Sequence, residues 1–323
     1  MAKIDLKISI NHFGLSLKKS NNLSTWSNLG IEPGGARRKI ILHNPKDPKY
    51  WYLFKVPKYG AFEATTEIFN AILAQRLGIN HVLYFPASYK GEKGVVCRSF
   101  IPMSAQEPSE LWEMKDLVCR HSNVANLEGM FGRDDDVLKE HHLENIILIL
   151  ESEFGKTILP DFFRMVGFDA LVGHGDRHWS NYGIIVKFAK NAFSAEFSPV
   201  YDTASGYLTE IIDSKRLENY LKNELQSDAW YCPNKKGLCK ITLSGDIRVN
   251  HFDLMRKIST DPVLKKYFRY VEEPFRSFNL KLVKLIIKTF FGNLEPIRRD
   301  IIENILEKRH SLGMSILKEA NKT

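Results

Sequence analysis

The stretch Gly173-His-Gly-Asp-Arg-His-Trp-Ser-Asn181, followed by Ser198-Pro-Val-Tyr-Asp-Thr-Ala-Ser-Gly206, decides how the chain is read. It places an Asp at 176, an Asn at 181 and a second Asp at 202. Apolar runs flank both pieces, Met165 to Val172 before the first and Tyr182 to Val186 between them. Short polar segments between a helix-like run and a strand-like run present side chains freely to a ligand. An acid, an amide and another acid converging there suit a divalent cation held on a phosphate-bearing nucleotide. The same residue types also serve as plain turn formers, for local backbone reasons. The rest of the chain decides between the two.

Upstream, Trp51-Tyr-Leu-Phe-Lys-Val56 is rich in residues that favour a pleated surface. A period of two puts Trp51, Leu53 and Lys55 on one face and Tyr52, Phe54 and Val56 on the other. A lysine sharing a face with apolar neighbours either snorkels to the edge or points into a cleft towards an anion. Further strands are expected at Lys3 to Ile10 and at Arg38 to Leu42. Between them, Gly30-Ile-Glu-Pro-Gly-Gly35 is either a turn or a loop that brings backbone N–H groups, at Gly34 and Gly35, to a phosphate. A helix is expected from about Glu63 to Leu77, with Phe69, Ile72, Leu73 and Leu77 at helical spacing and Gly78 as its cap. Glu67 lies on a different stripe, beside the small Ala71 and Ala74. From there its carboxylate either meets a lysine on an adjacent strand or faces solvent. Glu63 reads as a solvated surface residue.

Beyond this helix, strand-like runs recur at His81 to Tyr84 and Val95 to Ile101, with Gly91 and Gly94 marking a hairpin. Pro102 to Ser109 reads as a crossover, and from Leu111 the character turns helical. Leu143, Ile146, Ile147 and Leu150 form a helical stripe. Pro160-Asp161 opens a helix that runs to about Val172, and Gly173 lies past its end. Leu280 to Phe291 and Ile297 to Leu306 also carry apolar residues at helical spacing. The expected fold is α+β, with a β-rich lobe over residues 1–110 and a mostly helical lobe over 111–323.

Composition permits this. The 323 residues are 44% hydrophobic and 26% charged, as in ordinary globular proteins. No stretch reaches the roughly 18 to 20 uninterrupted apolar residues of a membrane span. The opening Met-Ala-Lys-Ile-Asp-Leu alternates charged and apolar residues, unlike a signal-peptide core. The four cysteines, at 97, 119, 232 and 239, form no Cys-x-x-Cys pair. Thiols in a reducing cytoplasm are therefore expected, rather than zinc or a disulfide framework. The net charge of +8 suits nucleic acid, an acidic protein or a polyphosphate ligand. The basic residues are scattered in small clusters such as Arg37-Arg38-Lys39 and Lys235-Lys236, without a basic arm, so direct nucleic-acid binding is disfavoured.

Strands with a lysine, a helix with a glutamate, more strands, then a helical region with Asp, Asn and Asp: this order matches the parts needed for phosphoryl transfer from a nucleotide. The lysine touches the phosphates and the glutamate positions it. The first Asp orients or deprotonates the acceptor hydroxyl, and Asn with the last Asp holds Mg2+. Because the transferred group is anionic, catalysis is mainly positioning and charge neutralisation.

The pieces Tyr52-Leu-Phe-Lys55, Glu67 eleven residues before Gly78 of Arg-Leu-Gly-Ile, Asp176-Arg-His-Trp-Ser-Asn181 and Pro199-Val-Tyr-Asp202 resemble those of the HipA-like serine/threonine kinases, including the short, self-contained members of CtkA type. They span roughly Trp51 to Gly206. The resemblance implies a two-lobed kinase fold with ATP and Mg2+ in the cleft. It makes Lys55 a phosphate ligand paired with Glu67, Asp176 the catalytic base, and Asn181 and Asp202 the metal ligands. Backbone of Arg98 to Met103, with Phe100 and Ile101 at its centre, would contact adenine. His178 would support the loop by hydrogen bonding. Implied partners are a protein substrate with a serine or threonine hydroxyl and a small helix-turn-helix antitoxin, so that nucleic acid is met only indirectly; a secreted effector is a variant of the same idea.

The chain departs from kinase patterns in lacking Gly-x-Gly-x-x-Gly, and it is shorter than the full-length HipA toxins. Ser16, Ser20 and Ser24 are serines near the expected phosphate loop, where some members of the family autophosphorylate. Two alternatives stand beside the protein kinase. Asp-Arg-His-x-x-Asn also occurs in phosphoinositide-type lipid kinases, and the charge of +8 fits a non-catalytic, DNA-associated pseudokinase scaffold. A screen on phosphoinositide vesicles separates the first, and a steep salt dependence of DNA binding the second.

Overall fold

The computed structural model describes residues 11–31, 33, 37–103, 108–121, 141–190, 192–223, 239–244 and 249–322. The strand expected at Lys3 to Ile10 and the glycines Gly34 and Gly35 lie outside the described residues. A short ribbon of β1 (Asn11–His12) and β2 (Leu15–Ser16) precedes a six-stranded sheet. The sheet contains β3 (Asn21–Asn22), β4 (Ser27–Asn28), β5 (Lys39–His43), β6 (Trp51–Lys55), β7 (Tyr84–Tyr89) and β8 (Glu92–Arg98). Their order is β3-β7-β8-β6-β5-β4, antiparallel throughout except for the parallel β3–β7 pair.

Alternation along β6 works as the residue types dictate. Tyr52 and Phe54 are fully buried on one face, and Trp26 meets the Tyr52 ring edge-on with centroids 4.7 Å apart. Lys55 emerges on the opposite face. Helix α1 (Ala61–Arg76) packs against β7 and β8 and is buried along most of its length. It ends where Gly78 takes φ +74°, a left-handed conformation that glycine adopts without steric cost.

The second region begins with β9 (Ser109–Glu113), which straddles the expected lobe boundary at 110/111 and forms a sheet with β10 (Gly183–Ala189) and β11 (Ala192–Phe197) in the order β11-β10-β9. Around it lie α2 (Met114–His121), α3 (Leu143–Phe154), α4 (Leu159–Val172), α5 (Ser214–Lys222), α6 (His251–Thr260), α7 (Phe268–Ser277), α8 (Leu280–Phe290) and α9 (Pro296–Ala320). Helix α4 is the centre of this region: Phe162, Phe163, Met165, Phe168 and Leu171 are fully buried. It packs closely on α7 because Gly167 has no side chain; a Cβ there would run into the Val271 carbonyl. Among the described residues, no helix is long and apolar enough to cross a membrane.

Several elements differ from the sequence expectation, each for a tertiary reason. His81 to Leu83 are not a regular strand but an approach to β7: His81 bridges Val200, and the Val82 N–H donates to the Val200 carbonyl. The β7–β8 turn is made by Lys90 and Gly91, at φ +48° and +86°. Gly94 lies inside β8 instead, where a Cβ would collide with the Lys55 carbonyl. Strand β8 ends at Arg98, because Ser99 begins a turn closed by its own hydroxyl. Leu111 to Glu113 belong to a strand, with helix starting only at Met114. The helix expected over Ile297 to Leu306 is the first part of the longer α9.

Candidate active site

Lys55, on the last residue of β6, is 3% exposed. Its Nζ lies 2.5 Å from Glu67 Oε1 on α1 and 3.0 Å from Asp202 Oδ1. One cation therefore joins the sheet, the helix and a segment 147 residues downstream. Beneath it lies the ring of Tyr84, 5.2 Å from Nζ to centroid. The Asp202 N–H donates to the Tyr84 hydroxyl at 3.2 Å, which holds Asp202 at φ +53°, an unusual conformation for a residue other than glycine.

The polar loop after α4 is organised by Arg177, 1% exposed. Its Nε and Nη2 donate to the Asp169 carboxylate at 2.7 and 2.9 Å, a bidentate pair. Its Nη1 donates to the Asn181 and Tyr201 carbonyls at 2.7 and 2.9 Å. A single guanidinium thus fastens α4, the Asp176–Asn181 loop and the residue before Asp202 to one another. The Asn181 Nδ2 donates to the Asp176 carbonyl at 2.8 Å, which turns the amide oxygen the other way. His178 keeps within the loop: its carbonyl accepts from the Asn181 N–H, and its Nδ1 accepts from the Ser180 N–H.

Charge balance explains the ionisation of the central trio. Burial alone would discharge Lys55, but Asp202 and then Glu67 hold its ammonium well above the usual lysine range. Burial would likewise raise Asp202, yet Lys55, then Lys39 and Arg37, hold its carboxyl below the ordinary range. Glu67 shares its one cation with Asp202 and moves the other way, raised by burial. Asp202 therefore stays ionised. An ionised carboxylate and the amide oxygen of Asn181, on a loop that Arg177 ties to the residue before Asp202, are hard donors of the kind Mg2+ takes, so the residue types fit such an ion.

Other partners were not visible in the linear chain. Helix α1 presents Glu63, Thr66, Glu67 and Asn70 on one face at helical spacing, all buried. Glu63 is 2% exposed rather than solvated: it accepts from Arg37 and from the Lys58 and Tyr59 N–H groups at 2.7 and 2.8 Å. Asn70 Nδ2 donates to the Thr203 carbonyl, and Asn70 Oδ1 accepts from the Tyr207 hydroxyl. That polar stripe was the readable signal, and it marks a helix covered on more than one side.

Two arginines of α9 close the site from behind. Arg298 donates to the Leu208 and Ile211 carbonyls at 3.4 and 2.5 Å. Arg309 donates to the Ala170 carbonyl at 2.7 Å and to His251 Nδ1 at 3.1 Å, and His251 Nε2 in turn donates to the His174 carbonyl at 3.0 Å. His174 is fully buried, with Nδ1 donating to the Ser205 carbonyl; its Nε2 has no hydrogen-bond partner among the described residues. In the segment around Phe100 and Ile101, the Phe100 ring stacks on Tyr201 with centroids 5.7 Å apart, and the Ile101 N–H donates to Ser99 Oγ. Lys55, Glu67 and Asp202 are thus in direct contact, and Arg177 fastens the loop carrying Asp176 and Asn181 to Tyr201, the residue before Asp202, on which Phe100 stacks.

No family model matches the chain, and no curated protein matches it in sequence. Among solved structures it is similar to the Helicobacter pylori proinflammatory kinase CtkA, with a TM-score of 0.73 at 16% identity, covering 94% of this chain and 99% of that one. It is more distantly similar to HipA in a complex of HipA, HipB and operator DNA from Shewanella oneidensis MR-1, at TM-score 0.48 and 12% identity, over 92% of this chain and 69% of that one. The Golgi casein kinase with Mn/ADP bound follows at 0.39 and 11%, over 94% and 75%. The fold is that of the CtkA kinase: α+β, with a β-rich N-terminal region and a helical C-terminal one.

Proposed function

We propose that this chain is an ATP- and Mg2+-dependent protein kinase that transfers the terminal phosphoryl group of ATP to a serine or threonine hydroxyl. The observation that carries the proposal is the placement of Lys55 Nζ between Glu67 and Asp202, at 2.5 and 3.0 Å. A buried lysine with a structural counter-ion on one side and an ionised Asp on the other suits an anionic ligand and its metal. Glu67 fixes the lysine, and Lys55 holds the phosphates. Asn181 and Asp202 would hold Mg2+, which when bound neutralises charge on the phosphate chain. Asp176 accepts the proton of the acceptor hydroxyl while the hydroxyl oxygen bonds to the γ-phosphorus and the bond from that phosphorus to the bridging oxygen of ADP breaks. The Arg177–Asp169 pair keeps the loop bearing Asp176 and Asn181 in place.

The test is incubation of the full chain with labelled ATP, Mg2+ and a mixed protein substrate. Labelled phosphoserine or phosphothreonine is expected, with a fall of about 10²- to 10⁴-fold in Asp176→Asn. Absence of transfer from the wild type, or a variant as active as the wild type, would overturn the proposal; label appearing on phosphoinositide vesicles instead would assign a lipid kinase. A toxin role with a small helix-turn-helix partner follows from the same resemblance. It predicts growth arrest on expression of the wild type, none with Asp176→Asn, and relief by the neighbouring reading frame.

A further inference from the structure

Lys39 stands directly across from Lys55 in the antiparallel register of β5 and β6. Facing residues in such a pair project from the same face with Cβ atoms about 4.5–5.5 Å apart, and like charges there destabilise the sheet. The next three facing pairs of the same ladder are Ile40 with Phe54, Ile41 with Leu53 and Leu42 with Tyr52, so the double lysine is confined to the end at the cleft. Its cost is offset by Asp202, whose two oxygens are divided: Oδ1 lies 3.0 Å from Lys55 Nζ and Oδ2 lies 3.9 Å from Lys39 Nζ. Lys55 is almost wholly enclosed, with 4% side-chain exposure, whereas Lys39 at 17% sits nearer the mouth. Beside Lys39, a cavity of about 390 Å³ is lined by Gly30, Ile31, Pro33, Arg37 and Arg38.

Arg37 is bonded to Glu63, and Lys55 to Glu67. Lys39 and Lys55 share Asp202 between them. A metal ion taking the Asp202 carboxylate would draw it away from both lysines, which stand side by side on one face. A single phosphate engages Lys55; a second phosphate further along the chain, towards the mouth, is what a second lysine in that position can meet.

We propose that Lys39 is a second phosphate-binding cation, contacting the terminal phosphate of a nucleoside triphosphate while Lys55 holds the inner ones. This deepens the kinase assignment and rests on it. The site then distinguishes triphosphate from diphosphate by a lysine, without the glycine-rich signature absent from the chain.

The test is calorimetric titration of the full-length protein with ATP and with ADP, each with Mg2+, for wild type, Lys39→Met and Lys39→Arg. Lys39→Met is expected to weaken ATP about 10-fold and ADP less than about 2-fold, the loss of one charge-assisted hydrogen bond. Lys39→Arg is expected to restore most of the ATP affinity, because the charge is kept. Nucleotide-free melting of the three proteins reports folding separately. Wild-type ATP affinity in Lys39→Met overturns the assignment, and so does an equal loss for ATP and ADP. A wild type that binds neither nucleotide instead removes the kinase assignment, and this one with it.

Discussion

The exchange at Lys55 sets what single substitutions should do. Lys55→Met leaves the buried Glu67 without its cation, and leaves Asp202 with only the more distant Lys39 and Arg37. Removing one partner of a buried ionic set costs about 3–5 kcal/mol, because the remaining charge is uncompensated. Urea unfolding should show a loss of this order, and Lys55→Met/Glu67→Gln should be more stable than the sum of the two single variants; additive losses would mean that the three groups are not coupled. Strand period, helix stripe and motif spacing are local properties and drew attention to Lys55, Glu67, Asp176, Asn181 and Asp202. They left Glu67 open between a lysine and solvent, and only the family resemblance implied its pairing with Lys55, which the structure contains. The roles of Tyr84, Arg177 and Lys39 were not legible. They depend on contacts such as the one between Tyr84 and Asp202, 118 positions apart, and no local pattern encodes these.

Between residues and the whole lie elements whose close approach sets the site. Gly94 is the clearest case: strand β8 passes so near β6 that a Cβ would meet the Lys55 carbonyl. Gly94→Ala should therefore destabilise the protein by about 1–3 kcal/mol, the range of overpacking, and shift the lysine it backs. A lower urea midpoint together with weaker nucleotide binding is the expected result, and unchanged values would show that the ladder yields. Glycine spacing suggested a hairpin over Gly91 and Gly94, but one glycine serves the turn and the other the packing. Long elements with strong periods, α1, α4 and α8, were legible in outline. The strand β9 was not: in Ser109 to Glu113 apolar and charged residues mix, and the strand exists because β10 pairs with it.

At the scale of the whole molecule, acid should unfold this protein through its interior histidines. His141, His174 and His251 are at most 3% exposed, and burial pushes each down to about 3. In the unfolded chain each returns to about 6.5. The unfolded state thus binds more protons between these values, so stability is fully present above about pH 6.5 and is lost as pH falls towards 3. Each histidine contributes at most about 1.4 kcal/mol per pH unit, so the three together approach about 4. Urea midpoints should drop steeply from pH 6.5 to 4.5; level midpoints would show that these rings are protonated in place.

The arginines of α9 also put the site on a clock. Arg309 holds the Ala170 carbonyl from 139 positions downstream. At about 5–20 residues per second of synthesis, the loop bearing Asp176 exists for roughly 7 to 27 seconds before its rear support has been made. A growing chain passes through that interval with this loop held by nearby contacts such as the Arg177–Asp169 pair, and the brace from α9 is added only once most of the molecule has been made.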